Sequence, residues 1–159
     1  MQNISSFLDS FFEQIAQAEL DIAGLILDHV AYQANSSQDY EMFLSEFSQL
    51  GELVSEEIIG DRRVAVFKLF KPIQYQHYSI PALELVEPKA GQVCESAFQH
   101  AELVTDKSFD DLIIEYPQID WDTSSMNRAE FPHLKLNFEN GMTLKFINVP
   151  ILEVVTKTK

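Results

Sequence analysis

The sequence predicts an α+β fold in which two βαβββ modules form a half-open, cupped sheet, with an extra N-terminal helix. Two observations lead to this prediction. A strand-like run with a central histidine occurs twice, at residues 25–33 and 97–105. Each run is followed by an amphipathic helical pattern and then by further β-prone segments. Repeated units that cannot bury their apolar faces alone pack side by side, so both modules should share one sheet.

The N-terminal segment, residues 1–22, predicts a helix. Ser6 is followed three residues later by Asp9, a spacing typical of a helix N-cap, and apolar residues then recur at helical spacing as far as Glu19. The Phe-rich face of this helix should pack against the core or against a second copy in a homodimer.

The first module is predicted to span residues 25–90. After its first strand, Ser36 should cap a helix that ends at Gly51 in the left-handed conformation. Two β-prone segments follow and are joined by Gly60-Asp61, a two-residue loop of the kind that closes a hairpin. A fourth strand then carries Glu84.

The second module is predicted to span residues 95–150. Its helix should be capped near Asp106 or Ser108, and a short extended piece around Ile119–Trp121 should provide the next strand. A hairpin turning on Asn140-Gly141 should complete the module. The tail, residues 151–159, is expected to add a short helix.

Composition limits the classes of partner. The chain has 159 residues, enough for one well-buried core, so a single domain over 1–159 is expected. The chain has 25 acidic and 11 basic residues and thus a net charge of −14. This charge disfavours binding to nucleic acid and to anionic membranes. No apolar run reaches the length that a bilayer requires, and no leader pattern is present. We therefore expect a cytoplasmic protein whose partner is a small molecule.

Three ionisable side chains lie inside strand-like runs, namely His29, Glu84 and His100. Such a side chain is solvated, paired in the interior or a ligand. In a cupped sheet of two modules these residues should converge, together with Lys145. Two histidines and one carboxylate suit Fe²⁺, Zn²⁺, Mn²⁺ or Ni²⁺ with open positions for water or substrate. From the residues alone, two interpretations stay open: a metal-free polar network in which Lys145 pairs with Glu84, and a divalent-metal site.

Four other polar residues lie in or near these runs. Glu102 shares a face with His100, so it is a hydrogen-bond partner of the ligands, a substitute ligand or a solvated glutamate. His77 is a candidate general base at the mouth of the cup, or an exposed loop histidine. Strand alternation predicts that Asp28 faces away from the histidine beside it. His133 should lie at the edge of a strand.

The order and spacing of these motifs resemble the vicinal oxygen chelate superfamily, the fold of glyoxalase, extradiol dioxygenases and fosfomycin-resistance proteins. Metal ligands there come from strands one, four, five and eight. Asp28-His29-Val30 is similar to the first-strand motif, Leu83-Glu84-Leu85 to the fourth, and Gln99-His100-Ala101 to the fifth.

More closely, the chain resembles the YecM family of this superfamily over residues 25–155. The supporting segments include Gly51-Glu52-Leu53, Phe67-Lys68-Leu69 and Leu144-Lys145-Phe146. The resemblance implies a metal-dependent isomerase, lyase or oxidoreductase of glyoxalase or dioxygenase type, acting on a small oxygen-bearing substrate. Whether the protein is an enzyme stays open at this point.

One position departs from the superfamily pattern. Lys145 stands where glyoxalase-like relatives have a glutamate ligand, and a protonated lysine cannot bind a cation. The alternative function is therefore a non-catalytic module that binds a small anionic ligand beside a degenerate metal site. Within the enzyme hypothesis, Lys145 joins His77 and Glu102 as a candidate catalytic residue.

Overall fold

The computed structural model describes residues 3–157, which form four helices and a seven-stranded mixed sheet. In chain order the elements are α1 (Ile4–Gln17), β1 (Ile26–Gln33), α2 (Ser37–Phe47), β2 (Gly51–Ile59), β3 (Arg62–Tyr75), β4 (Tyr78–Val86), β5 (Ala97–Val104), α3 (Phe109–Glu115), β6 (Leu134–Asn137), β7 (Thr143–Ile147) and α4 (Ile151–Lys157). The strand order across the sheet is β2-β3-β4-β1-β5-β7-β6. This architecture confirms the predicted α+β class and open sheet.

Side-chain caps fix the starts of the first three helices. Ser36 accepts a hydrogen bond from the backbone N–H of Asp39, and Ser108 accepts one from Asp111, as serine N-caps do. Helix α1 begins earlier than expected, because Asn3 rather than Ser6 is its N-cap. The apolar face of α1 is buried in the core, as its helical periodicity predicts.

Gly51 has a different role from the predicted one. It is the first residue of β2 and does not adopt a left-handed conformation. A Cβ at this position would lie 2.5 Å from the carbonyl oxygen of Lys68 in β3, so only glycine allows the two strands to approach this closely. The hairpin at Gly60-Asp61 is as predicted, with φ angles of 59° and 64° that suit a type I′ turn.

The second module has fewer strands than predicted. Residues 119–121 form no strand, and a single bridge pairs Asp122 with Lys135. The Asp122 carboxylate accepts a hydrogen bond from the backbone N–H of Ser124 at 3.0 Å, a local turn that diverts the chain after this bridge. The sheet therefore has seven strands rather than eight.

The two faces of the sheet have different partners. The main core contains buried side chains of α1, α2 and α3 together with those of the sheet face they cover. On the opposite face, Ile151 and Val155 of α4 pack against Val66 and Ala82. This second face, partly covered by α4, carries the candidate site.

None of the helices within residues 3–157 has the length and apolar character needed to cross a lipid bilayer.

Candidate metal site

Two β-bulges shape the centre of the sheet, where β1 and β5 run antiparallel. The pairing register shifts by one residue at Asp28 in β1 and at Gln99 in β5. In each strand the extra residue immediately precedes a histidine, His29 or His100. A bulge interrupts the alternation of side chains and re-aims them. Each histidine therefore has the preceding side chain beside its ring.

The imidazole of His29 is held by Asp28. Nδ1 of His29 lies 2.7 Å from Oδ2 of Asp28, and the same oxygen accepts a hydrogen bond from the backbone N–H of Ile151 at 3.0 Å. The prediction that Asp28 faces away from His29 is wrong, because the bulge places both side chains together. Since Nδ1 carries the proton shared with Asp28, Nε2 is the atom directed into the site.

Nε2 of His29 is a buried polar atom without a hydrogen-bond partner among residues 3–157. The nearest carboxylate oxygens belong to Glu102 at 3.5 Å and to Glu84 at 3.8 Å. Burial alone would lower the pKa of His29, but Glu102, Asp28 and Glu84 together raise it to about 10. An unpaired buried nitrogen of this kind is the place where a cation could replace a proton.

The imidazole of His100 is held in a parallel way by Gln99. Nδ1 of His100 lies 2.7 Å from Oε1 of Gln99, whose amide nitrogen lies 3.3 Å from Oγ1 of Thr143. Nε2 of His100 lies 3.1 Å from Nζ of Lys145. Burial and the Lys145 ammonium lower the pKa of His100 to about 4, so the neutral ring accepts a hydrogen bond from Lys145.

The Glu84 carboxylate lies between the two histidines. Its Oε2 is 3.8 Å from Nε2 of His29, and its Oε1 is 3.3 Å from Nε2 of His100. One ligand atom from each of these residues lies within 4.8 Å of the other two. Although burial would raise the pKa of Glu84, His100, His29 and Lys145 lower it to about 2, so the carboxylate is ionised at neutral pH.

Glu102 and Lys145 lie directly beside this cluster. Oε1 of Glu102 is 3.1 Å from Nζ of Lys145, 3.5 Å from Nε2 of His29 and 3.6 Å from Nε2 of His100. Although burial would raise the pKa of Glu102, Lys145 and His29 hold it well below its ordinary value. The ammonium of Lys145 therefore pairs with Glu102 and His100, rather than with Glu84 as the metal-free interpretation supposed.

His77 has the second of its two expected positions, that of an exposed loop histidine, whereas His133 is more buried than a strand-edge residue is expected to be. His77 lies in the exposed turn between β3 and β4, with its ring centroid 4.1 Å from that of Tyr78, and it does not line the cavity above the cluster. His133 is buried and does line this cavity, with Nδ1 2.8 Å from the carbonyl oxygen of Phe131. Burial lowers the pKa of His133 most, and the charge of Lys145 lowers it further. No local pattern in the sequence distinguishes His133 from an ordinary strand-edge histidine.

The cavity above the cluster has a volume of about 430 Å³. It is bounded by β2, by the loop 128–133 and by α4, and Glu84, His100, Glu102 and Lys145 line it. Small-molecule sites in proteins have volumes of this order. The cluster thus opens onto a space that can hold a small ligand.

Sequence comparison connects the chain to curated bacterial proteins. It matches the family model described as YecM protein over residues 1–156. It is 30% identical over 108 residues to protein YecM of Escherichia coli, covering 65% of this chain and 57% of that protein. It is 26% identical over 85 residues to an uncharacterized protein of Haemophilus influenzae, covering 54% and 44%. The match spans about half the length of these relatives.

Solved structures show the same architecture. The Structural Genomics protein EC4020 is similar with a TM-score of 0.80 and 25% identity over 97% of this chain and 88% of that one. A methylmalonyl-CoA epimerase from Streptomyces coelicolor in complex with 2-nitronate-propionyl-CoA has a TM-score of 0.56 and 14% identity, covering 80% and 97%. A putative dioxygenase from Bacillus subtilis has a TM-score of 0.51 and 13% identity, covering 79% and 41%.

The epimerase and the dioxygenase share only the fold with this chain at such identities. Their architecture agrees with the vicinal oxygen chelate fold that the motif order predicts. The family match covers nearly the whole chain. The chain therefore belongs to the YecM family and has a vicinal oxygen chelate fold.

Proposed function

We propose that this protein binds one divalent transition-metal cation through His29, Glu84 and His100 and presents it to a small oxygen-bearing molecule in the cavity. The observation that carries the proposal is the orientation of the two imidazoles. In each ring, Nδ1 is held by the preceding residue, and Nε2 faces Glu84. Two imidazole nitrogens and one carboxylate form a donor set that suits Zn²⁺, Fe²⁺, Mn²⁺ or Ni²⁺.

The hydrogen bonds at Nδ1 would support such binding. Histidine ligands commonly donate their other ring N–H to a carboxylate or a carbonyl oxygen, which fixes the tautomer and the ring orientation. In this arrangement Asp28 accepts the hydrogen bond from Nδ1 of His29, and the side-chain carbonyl oxygen of Gln99 accepts the one from Nδ1 of His100. When bound, the cation would act as a Lewis acid toward oxygen atoms of the ligand.

Lys145 has to move before His100 can bind a cation. Its ammonium donates to the same Nε2 lone pair that a cation requires. Glu102 lies 3.1 Å from the same ammonium, so it can keep Lys145 within the cavity after that movement. In this position Lys145 can orient an anionic oxygen of a ligand.

Metal loading tests the proposal. Protein stripped with EDTA and loaded with Zn²⁺, Mn²⁺ or Ni²⁺ should retain close to one equivalent by elemental analysis. His29→Ala and His100→Ala should lose this uptake, and circular dichroism should verify that both variants are folded. Absence of uptake in the wild-type protein, or equal uptake in the alanine variants, would refute the proposal.

A second candidate function is a non-catalytic module that binds a small anion without metal. It is favoured by one observation, the 3.1 Å contacts from Nζ of Lys145 to Glu102 and to His100. Thermal-shift screening of small anions with and without EDTA separates the two functions. Stabilisation that survives chelation supports the binding module, whereas stabilisation that requires added metal supports the metal-dependent function.

A further inference from the structure

Arg62 is a half-buried cation at one end of the cavity, where it also borders a second pocket lined by Gln33, and it makes no salt bridge within residues 3–157. Its Nη1 donates to Oε1 of Gln33 at 3.2 Å. The neighbouring Arg63 binds Glu87 through two contacts of 2.9 and 3.0 Å and also binds Glu41. In a chain with 25 acidic and 11 basic residues, an arginine without a carboxylate has donors available for an external anion.

Apolar side chains extend from Arg62 across the floor of the cavity. Val64 and Val66 follow at alternate positions of β3, and Val86 pairs with Val64 from β4. Ile151 of α4 lines the cavity from the other side. Residues two apart on a strand lie about 7 Å from each other on the same face, so the apolar floor runs about 13 Å from Arg62 to Val66.

Within residues 3–157, no acidic residue of the cavity makes a salt bridge with Arg62, although the charge of Glu84 raises the pKa of Arg62 against the effect of burial. Glu84 and Glu102 have cationic partners of their own in the His29 and Lys145 cluster. Glu57 and Glu130 are exposed, and neither makes a salt bridge with Arg62. Their charges are therefore screened by solvent far more than a charge inside the cavity. The Arg62 end of the cavity can accept a single negative charge.

We propose that the cavity binds an aliphatic monocarboxylic acid, with the carboxylate on the guanidinium of Arg62 and the chain along Val64, Val66 and Val86. Guanidinium binds carboxylate through two parallel hydrogen bonds, and the valines remove the chain from water. This inference rests on the proposed function in placing the ligand in the same cavity. The Arg62 contact itself does not require the cation.

Calorimetric titration with three probes tests the inference in EDTA. Hexanoate should bind wild-type protein at least about tenfold more tightly than acetate, because of the buried chain, and more tightly than hexanol, because of the carboxylate. Arg62→Gln should weaken hexanoate binding about tenfold or more, since it removes a charged hydrogen-bond pair. Arg62→Lys should show an intermediate loss. Arg128→Gln, which removes an exposed arginine of the same cavity, should change the affinity far less.

The same titration after zinc loading distinguishes this inference from the metal proposal. Hexanoate binding that persists in EDTA and depends on Arg62 supports the inference even if no cation is ever taken up. Binding that needs zinc and ignores Arg62→Gln would place the carboxylate on the metal and overturn it. Equal losses in Arg62→Gln and Arg128→Gln, or equal affinity for hexanoate and acetate, would also overturn it.

Discussion

Oδ2 of Asp28 lies 2.7 Å from Nδ1 of His29, and both groups are buried. Asp28→Asn retains the shape of this side chain but removes its charge, so the imidazole becomes a weaker electron donor. We expect the affinity for Zn²⁺ to fall about ten- to hundredfold by calorimetric titration. Asp106→Asn, an exposed aspartate outside the site, serves as the control. Unchanged affinity in Asp28→Asn would show that this pair is only structural.

Replacing Lys145 should have the opposite effect. Lys145→Glu removes the ammonium that occupies Nε2 of His100 and adds a carboxylate at the same position. Affinity for a divalent cation should rise by at least about tenfold, because a repulsive charge becomes an attractive one. Lys145→Met separates the two contributions, since it removes the charge without adding a ligand. Equal or weaker metal binding in Lys145→Glu would contradict this role of the lysine.

His77 should be dispensable for binding. It lies in the exposed turn between β3 and β4 and does not line the cavity. His77→Ala should therefore leave both zinc and hexanoate affinities unchanged, in contrast to His100→Ala, which removes a proposed ligand. A substantial loss of either affinity in His77→Ala would restore the role that the sequence suggested for this residue.

The Arg63 and Glu87 pair should make stability depend on pH. Hydrogen bonds from Arg63 lower the pKa of Glu87 from 4.5 to about 2. The folded carboxyl thus has the lower pKa, so the pair stabilises the protein above about pH 4.5, and this contribution is lost as the pH falls toward 2.

Urea unfolding of wild type and Glu87→Gln measures this contribution. At about pH 7 the variant should be less stable by about 1 to 2 kcal/mol, allowing for partial exposure of the pair. The difference should shrink at about pH 3. Glu95→Gln, in the exposed linker, should show no such pH-dependent difference.

Gly51→Ala should destabilise the fold. The added Cβ would lie 2.5 Å from the carbonyl oxygen of Lys68, so β2 and β3 would have to separate. We expect a loss of about 1 to 3 kcal/mol in the free energy of unfolding. Glu52→Ala, at the next and exposed position, should change stability by less than about 0.5 kcal/mol. Comparable losses in both variants would indicate that backbone contact at Gly51 is not the cause.

The features that the sequence predicts well depend either on local chemistry or on the order of the elements along the chain. The Gly60-Asp61 turn and the Ser36 cap each follow from a few adjacent residues, and both are present. For the third helix the sequence indicates Asp106 or Ser108, and Ser108 is the cap. The convergence of His29 and His100 follows from the repeated order of elements rather than from any one motif. Strand alternation then places Glu84 and Glu102 on the same side.

The missed features depend on a partner strand or on a distant contact. A bulge is an extra residue relative to the opposite strand, so nothing in the β1 sequence alone places Asp28 beside His29. The glycine at position 51 is required by the backbone of Lys68 in the next strand. The burial of His133 results from the path of the loop before it, in which Phe131 has a φ of 51°, a conformation uncommon for a bulky residue.

The two bulges place a side chain beside each histidine in the same way, but the chemistry of that side chain differs between His29 and His100. A carboxylate supports His29, whereas a neutral amide supports His100. The imidazole of His29, beside a carboxylate, is therefore the stronger electron-pair donor toward a metal. Nε2 of His100 already accepts a hydrogen bond from the Lys145 ammonium. If a cation binds these residues, we therefore expect His29 to hold it more firmly than His100 does. Two strands with the same kind of bulge thus present two histidines of unequal donor strength.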